Sequence, residues 1–201
     1  MISADPEVPA EPQRTVFMGY ISAHGTTRAI ALHICQELIK AGFTVKSRDL
    51  ARIPFAYANV KALLEEIKSC NLVLLGSAMK HSDWQPQLRP LFGFIEHELL
   101  DLTVPVHYFT VCDIGTLSSF YSGCCTNLLR RRQLLPPMIS SLASKVDSHE
   151  AARTHHFFAG RADVSQFGCG DTIFLRCMGG TLGDHVSWAE VNEWIANISR
   201  Q

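Results

Sequence analysis

Charge is scarce in this chain. Only 18% of its 201 residues are Asp, Glu, Lys or Arg, and the formal net charge is −1, against a charged share of ~25% in ordinary soluble domains. With 47% hydrophobic residues, that composition excludes a disordered or solvating chain. The lack of a basic excess argues against a phosphate-backbone binder, so no nucleic-acid partner is expected. No apolar run approaches the ~18 residues that cross a bilayer. CxxC pairs are missing, and the seven cysteines are odd in number. Several sit in apolar runs, where a free thiol acts as a small hydrophobe. A disulfide framework and a structural zinc site are therefore disfavoured, and a reducing compartment is expected. Residues 1–14 hold three prolines and three acids. They lack the features of a signal or transit peptide and read as a flexible tail. These features point to an intracellular protein, soluble or peripheral to a membrane, with an inner-membrane face or a mitochondrion both open.

What is present is an alternation of apolar runs and amphipathic stretches. Strands are expected at Thr15–Tyr20, Phe43–Arg48, Leu72–Ser77, Val104–Cys112 and His155–Arg161. Leu72–Ser77 is continuously apolar, as a strand buried on both faces requires. Helices are expected at Thr27–Ala41, Asn59–Ser69, a stretch running to about Leu100, and Trp188–Ile198. Ile30, Ile34, Leu38 and Ala41 fall on one helix face, and Gly42 ends that helix. This pattern predicts an α/β fold, doubly wound, with five parallel strands in the order 2-1-3-4-5. In such a sheet a ligand sits beyond the carboxyl ends of the strands at the switch point. The loops to inspect are then 21–27, 78–86 and 112–123.

The first of these loops, Ser22-Ala23-His24-Gly25-Thr26-Thr27, is rich in small and hydroxyl-bearing residues and leads directly into a helix. Free N–H groups and the positive end of the helix dipole suit one phosphate without a metal. Neither GxxxxGK[ST] nor GxGxxG is present, which excludes a Walker loop and a dinucleotide fingerprint. The alternative is simply that Thr26 or Thr27 caps the helix. Segment 113–154 is too long for one connection. It carries Cys124-Cys125 and Arg130-Arg131-Arg132 before an apolar stretch, which reads either as membrane-surface contact or as a helix end and a packed loop. No metal-ligand cluster surrounds His24 or His81. On a strand, His155 and His156 point to opposite faces, which disfavours their sharing a metal.

The spacing Tyr20-x-Ser22-x-x-Gly25-x-Thr27-x-x-x-Ala31 resembles the FMN-phosphate signature of flavodoxins. In that family the flavin ring lies between the loops after strands three and four, often against an aromatic side chain. The run Gly76-Ser77-Ala78-Met79-Lys80-His81-Ser82-Asp83-Trp84 is similar to the third-strand loop of the bacterial flavodoxin-type, menaquinone-dependent protoporphyrinogen oxidases. Val104-Pro105-x-x-Tyr108-Phe109-Thr110-Val111 resembles their fourth strand. Phe158-Ala159-Gly160, Met178-Gly179-Gly180-Thr181 and Trp188-x-x-Val191 resemble their C-terminal blocks. That family also carries a long insertion after the fourth strand, at the place of 113–154 here.

The resemblance implies a single flavodoxin-like domain over 15–201, with FMN as cofactor. It implies oxidation of protoporphyrinogen IX to protoporphyrin IX with electrons passed to a quinone, in haem biosynthesis. The implied cofactor-binding residues are Ser22, Ala23, His24, Gly25, Thr26 and Thr27 for the phosphate. For the ring they are Ser77, Ala78, Met79, Lys80, His81, Trp84, Thr110, Val111, Cys112 and Asp113. Trp84 would stack on the ring, or else make ordinary surface packing or a partner contact. Lys80, His81, Arg89 and Arg130–Arg132 are candidates to meet the substrate propionates. No general acid or base is assignable. Other readings on the same scaffold are an electron-carrying flavodoxin, an NAD(P)H:quinone reductase, and a domain that has lost its ligand. A carrier is usually strongly acidic. Self-association and a peripheral membrane contact stay open.

Overall fold

The computed structural model describes residues 14–54, 56–80, 83–85, 104–112, 154–162 and 183–200. The expected tail apart from Arg14, the helix running to Leu100 and the insertion apart from Thr154 lie outside the described residues.

Strand β1 (Thr15–Ile21) is buried along almost its whole length, as its apolar run demands. Helix α1 (Thr26–Lys40) follows, then β2 (Thr44–Asp49), a single 3₁₀ turn at Leu50–Arg52, helix α2 (Tyr57–Lys68) and β3 (Leu72–Lys80). A short strand β4 (Asp83–Trp84) folds back on β3. Next come β5 (Val106–Cys112), β6 (Thr154–Ala159), two-residue strands β7 (Arg161–Ala162) and β8 (Gly183–Asp184), and helix α3 (Trp188–Ser199). Among the described residues, the parallel strands run in the order β2-β1-β3-β5-β6, with every neighbouring pair parallel. With β4 set aside as a hairpin arm, this is the expected order 2-1-3-4-5.

Helices cover both faces of the sheet. On one, Phe17, Val73, Leu75 and Tyr108 pack against Val60, Leu63 and Ile67 of α2. On the other, Met18, Leu74, Phe109 and Phe158 pack against Ile30, Ile34 and Leu38 of α1 and Val191, Trp194 and Ile198 of α3. Two-residue alternation in the strands supplies both layers from one run of residues. Helix α1 ends where the glycine signal placed its end. Gly42 adopts φ 90°, its N–H donates to Ile39 O and the Phe43 N–H donates to Leu38 O, each at 3.0 Å. Those are the two bonds of a Schellman closure. Helix α3 is capped by Ser187, whose Oγ accepts from the Glu190 N–H.

Several expected boundaries change, the start of α2 at Tyr57 rather than Asn59 among them. Strand β3 continues three residues past Ser77, because Met79 and Lys80 find antiparallel partners in Trp84 and Asp83. The expected polar loop 78–86 therefore begins as a β-hairpin arm. The fifth parallel strand stops at Ala159, and Arg161–Ala162 instead pairs antiparallel with Gly183–Asp184. Strand β5 starts at Val106 rather than Val104, following Pro105, whose carbonyl accepts from Val73 N–H.

Candidate functional site

Ile21 of β1, Ser77 of β3 and Thr110 of β5 stand abreast on adjacent strands. The three strands are parallel, so their carboxyl ends lie at the same edge of the sheet. Strand β2 lies on the far side of β1 and β3 on the near side, so the connection through α1 and the rest of the sheet diverge at β1. That divergence is a topological switch point, where α/β sheets form a crevice.

The loop after β1 is short and turns sharply. Ser22 is half-buried, while Ala23, His24 and Gly25 are exposed. The Ser22 Oγ accepts from the Gly25 N–H at 3.0 Å. Gly25 is the N-cap of α1 at φ 91° and no side chain caps the helix. This corrects the alternative in which Thr26 or Thr27 caps it. Thr27 is 1% exposed, so its side chain is turned into the protein. A backbone at φ 91° favours glycine, and a Cβ built there would meet nothing within 4 Å. Among the described residues, open space thus lies over the turn. The first intrahelical bond here runs from Ala29 N–H to Gly25 O. N–H groups ahead of it have no helical acceptor by geometry, and the first turn holds no acid. The arrangement is a small, uncapped, electropositive helix start facing open space, which suits an anion.

The described residues expected near a ring, Ser77, Ala78, Trp84, Thr110 and Val111, lie in strands β3, β4 and β5. Trp84 is 1% exposed and packs edge-on to Tyr108, with ring centroids 6.0 Å apart. Its Nε1–H donates to Thr110 Oγ1 at 2.6 Å. The indole is therefore a core side chain on the α2 face, neither surface packing nor an exposed platform for stacking. Burying a large apolar body while satisfying its one donor explains that choice. Ser77 and Thr110 are both fully buried, and their hydroxyls are engaged within the protein. Ser77 Oγ donates to Ala78 O at 3.0 Å and accepts from Gln85 N–H at 3.2 Å. Thr110 Oγ1 is also 2.7 Å from His155 Nε2. Ala78 and Val111 are buried register partners. Met79 and Lys80 close β3, and Cys112 closes β5. His81, Asp113, Arg89 and Arg130–Arg132 lie outside the described residues.

His155 and His156 do point to opposite faces. His155 reaches Thr110, and His156 Nε2 pairs with Glu190 Oε1 of α3 at 3.0 Å. Burial, with the neighbouring His156 second, pushes the His155 imidazole down to about 4. In the sequence His155 reads only as a possible metal ligand. Its bond to Thr110 depends on strand register, for which the sequence carries no local signal. Among the described residues, no group of three metal-ligating side chains is present, and no helix is long and apolar enough to cross a membrane.

Neither a family model nor a curated protein matches the sequence. Solved structures do match. A cysteine-to-serine mutant of flavodoxin from Pseudomonas aeruginosa is similar at 15% identity and a TM-score of 0.51, over 92% of this chain and 97% of that one. Rubredoxin oxygen:oxidoreductase from Desulfovibrio gigas is similar at 16% identity and a TM-score of 0.50, over 83% of this chain. The chain spans about a third of that protein's length, 34%. The fold is flavodoxin-like. In the flavodoxin-like frame, the Ser22–Thr27 turn is the loop at the switch point between β1 and β3.

Proposed function

We propose that this chain is a flavin-binding redox protein that holds FMN at the carboxyl edge of its sheet. The observation that carries the reading is the Ser22–Thr27 turn. It is an uncapped helix start with no acid in its first turn, and among the described residues nothing stands within 4 Å of a Cβ built on Gly25. Those features fit a phosphate monoester dianion. Ser22, the backbone of Ala23–Thr27 and the Thr26 hydroxyl would hold it through hydrogen bonds and the helix dipole. FMN, when bound, supplies one- and two-electron redox chemistry. The protein's own part is to grip the phosphate at the turn and to hold the carboxyl edge of the sheet rigid through buried side chains such as Ala78 and Val111. The flavodoxin-like fold supports this reading, as does the Tyr20–Ala31 signature spacing.

Within that class, an electron carrier agrees with the flavodoxin similarity. The finer reading is oxidation of protoporphyrinogen IX with a quinone acceptor. It is supported by the sequence resemblance of Gly76–Trp84 and Val104–Val111, and by a net charge of −1, which suits an acid-docked carrier poorly. The test is a titration of the purified protein with FMN, followed by fluorescence quenching. The FMN-loaded protein is then given protoporphyrinogen IX and a quinone without oxygen. No FMN binding overturns the proposal. Binding with quinone-dependent porphyrin formation supports the finer reading, and binding without turnover supports the carrier.

A further inference from the structure

The hairpin arm formed by the end of β3 and β4 is fastened by side chains from three strands. Such a short two-stranded arm has little stability of its own. Here two successive residues of the returning chain are held by hydroxyls that face each other across the sheet. The Trp84 indole N–H donates to Thr110 Oγ1 at 2.6 Å, and the Gln85 backbone N–H donates to Ser77 Oγ at 3.2 Å. Ser77 and Thr110 are register partners, and both are 0% exposed. Thr110 is backed in turn by His155 Nε2 at 2.7 Å. The His155 ring is itself held edge-on by Phe157, with centroids 4.3 Å apart.

We propose that Ser77, Thr110 and His155 are positioning residues that latch the β3–β4 hairpin to the sheet, fixing Trp84 and Gln85 at its carboxyl edge where a flavin would bind. The part that concerns the flavin rests on the function proposed above. The latch itself rests on the geometry alone. A hydroxyl is suited to the central place because it accepts from the indole and still has a proton to donate. A neutral imidazole is suited to the third place, because its Nε2 accepts that proton when Nδ1 carries the ring hydrogen. Burial keeps the ring neutral at physiological pH. A chain of such bonds in a dry environment is directional, and each member orients the next.

The experiment uses the full chain with Thr110→Val, which keeps shape but removes the hydroxyl, and Thr110→Ser, which restores it. Ser77→Ala is the milder second variant if Thr110→Val folds poorly. Hydrogen exchange at the Trp84 indole N–H and at the Trp84 and Gln85 amides is read by NMR without flavin, with Phe17 and Val73 amides as references. FMN affinity and the visible flavin spectrum are measured on the same proteins. Thr110→Val should speed Trp84 indole exchange roughly tenfold, leave the reference amides unchanged and weaken FMN binding. Thr110→Ser should return both to wild-type values. Unchanged indole exchange, or equal acceleration at the reference amides, overturns the latch. Faster exchange with FMN affinity and spectrum unchanged overturns its role at the flavin. If the wild-type protein takes no FMN, the proposed function fails, and the latch is judged on the exchange data.

Discussion

The ring of Phe109 occupies the space that a side chain on Gly76 would need. A Cβ built on Gly76 would stand 1.9 Å from Phe109 Cζ, and the two residues are register partners on β3 and β5. Phe109 is fully buried and packs among Phe158 and Trp194, with centroids 5.9 and 6.0 Å away. It has no easy retreat. Gly76→Ala should therefore cost about 1–3 kcal/mol by overpacking. Adding Phe109→Leu should recover part of that loss relative to Phe109→Leu alone. Urea unfolding of the four proteins checks it, and simple additivity would count against the contact.

Gly25 poses the opposite case, since its surroundings are open and only its backbone is demanding. Gly25→Ala should cost about 1 kcal/mol through the positive φ. Gly25→Asn should cost less, because Asn tolerates that region better. Thermal unfolding compares the two. Equal losses would show that φ is not the cause.

Ser22→Ala with Thr27→Ala should lower FMN affinity by roughly tenfold or more, from loss of the bond that shapes the turn and of a buried contact beneath it. Isothermal titration with FMN, and with inorganic phosphate as competitor, reads the effect. Unchanged affinity for FMN would remove the turn from the site.

Trp84→Ala should behave as a core truncation, costing about 3–5 kcal/mol. Trp84→Phe should retain most of the packing and lose the bond to Thr110. The comparison is made by unfolding midpoints. A Trp84→Ala protein as stable as wild type would contradict the burial of the indole.

Stability should fall on the acid side of neutrality in a way that traces to His155. The folded ring titrates at about 4 and its ordinary value is 6.5. Above pH ~6.5 both folded and unfolded rings are neutral and the full stability is present. Between there and about 4 the unfolded chain takes up the proton and the folded one does not, so stability is lost as pH falls. The full loss is roughly 3 kcal/mol. His107, lowered by burial, adds to it in the same direction. Unfolding in urea at pH 7 and pH 4.5 measures the drop, which His155→Gln should reduce. An equal drop in the variant would assign the effect to other groups.

The strands and helices that could be read in the sequence are those whose pattern is a direct consequence of burial. Leu72–Ser77 is unbroken because both sheet faces are covered. Ile30, Ile34 and Leu38 repeat every four residues because one face of α1 meets the sheet. The glycine after α1 marked its end because a positive φ is needed there. The opposite faces of His155 and His156 follow from two-residue alternation. Each of these is a local rule, written in neighbours along the chain.

Trp84 shows where local rules stop. A Trp in a polar stretch, two residues before a proline, looks like a surface or ligand-facing residue. Its burial depends on β3 continuing to Lys80 and turning back, and on a donor-hungry hydroxyl waiting on a strand 26 residues away. The helix cap was decided similarly, by the direction in which the chain leaves β1. Sequence alone determined the alternation of strands and helices and the end of α1 at Gly42, because burial period and glycine geometry are local properties, and that alternation pointed to the doubly wound class of fold. Tertiary structure decided that Ser77, Thr110 and Trp84 face one another inside the protein. Register and hairpin pairing bring together residues that share no signal along the chain.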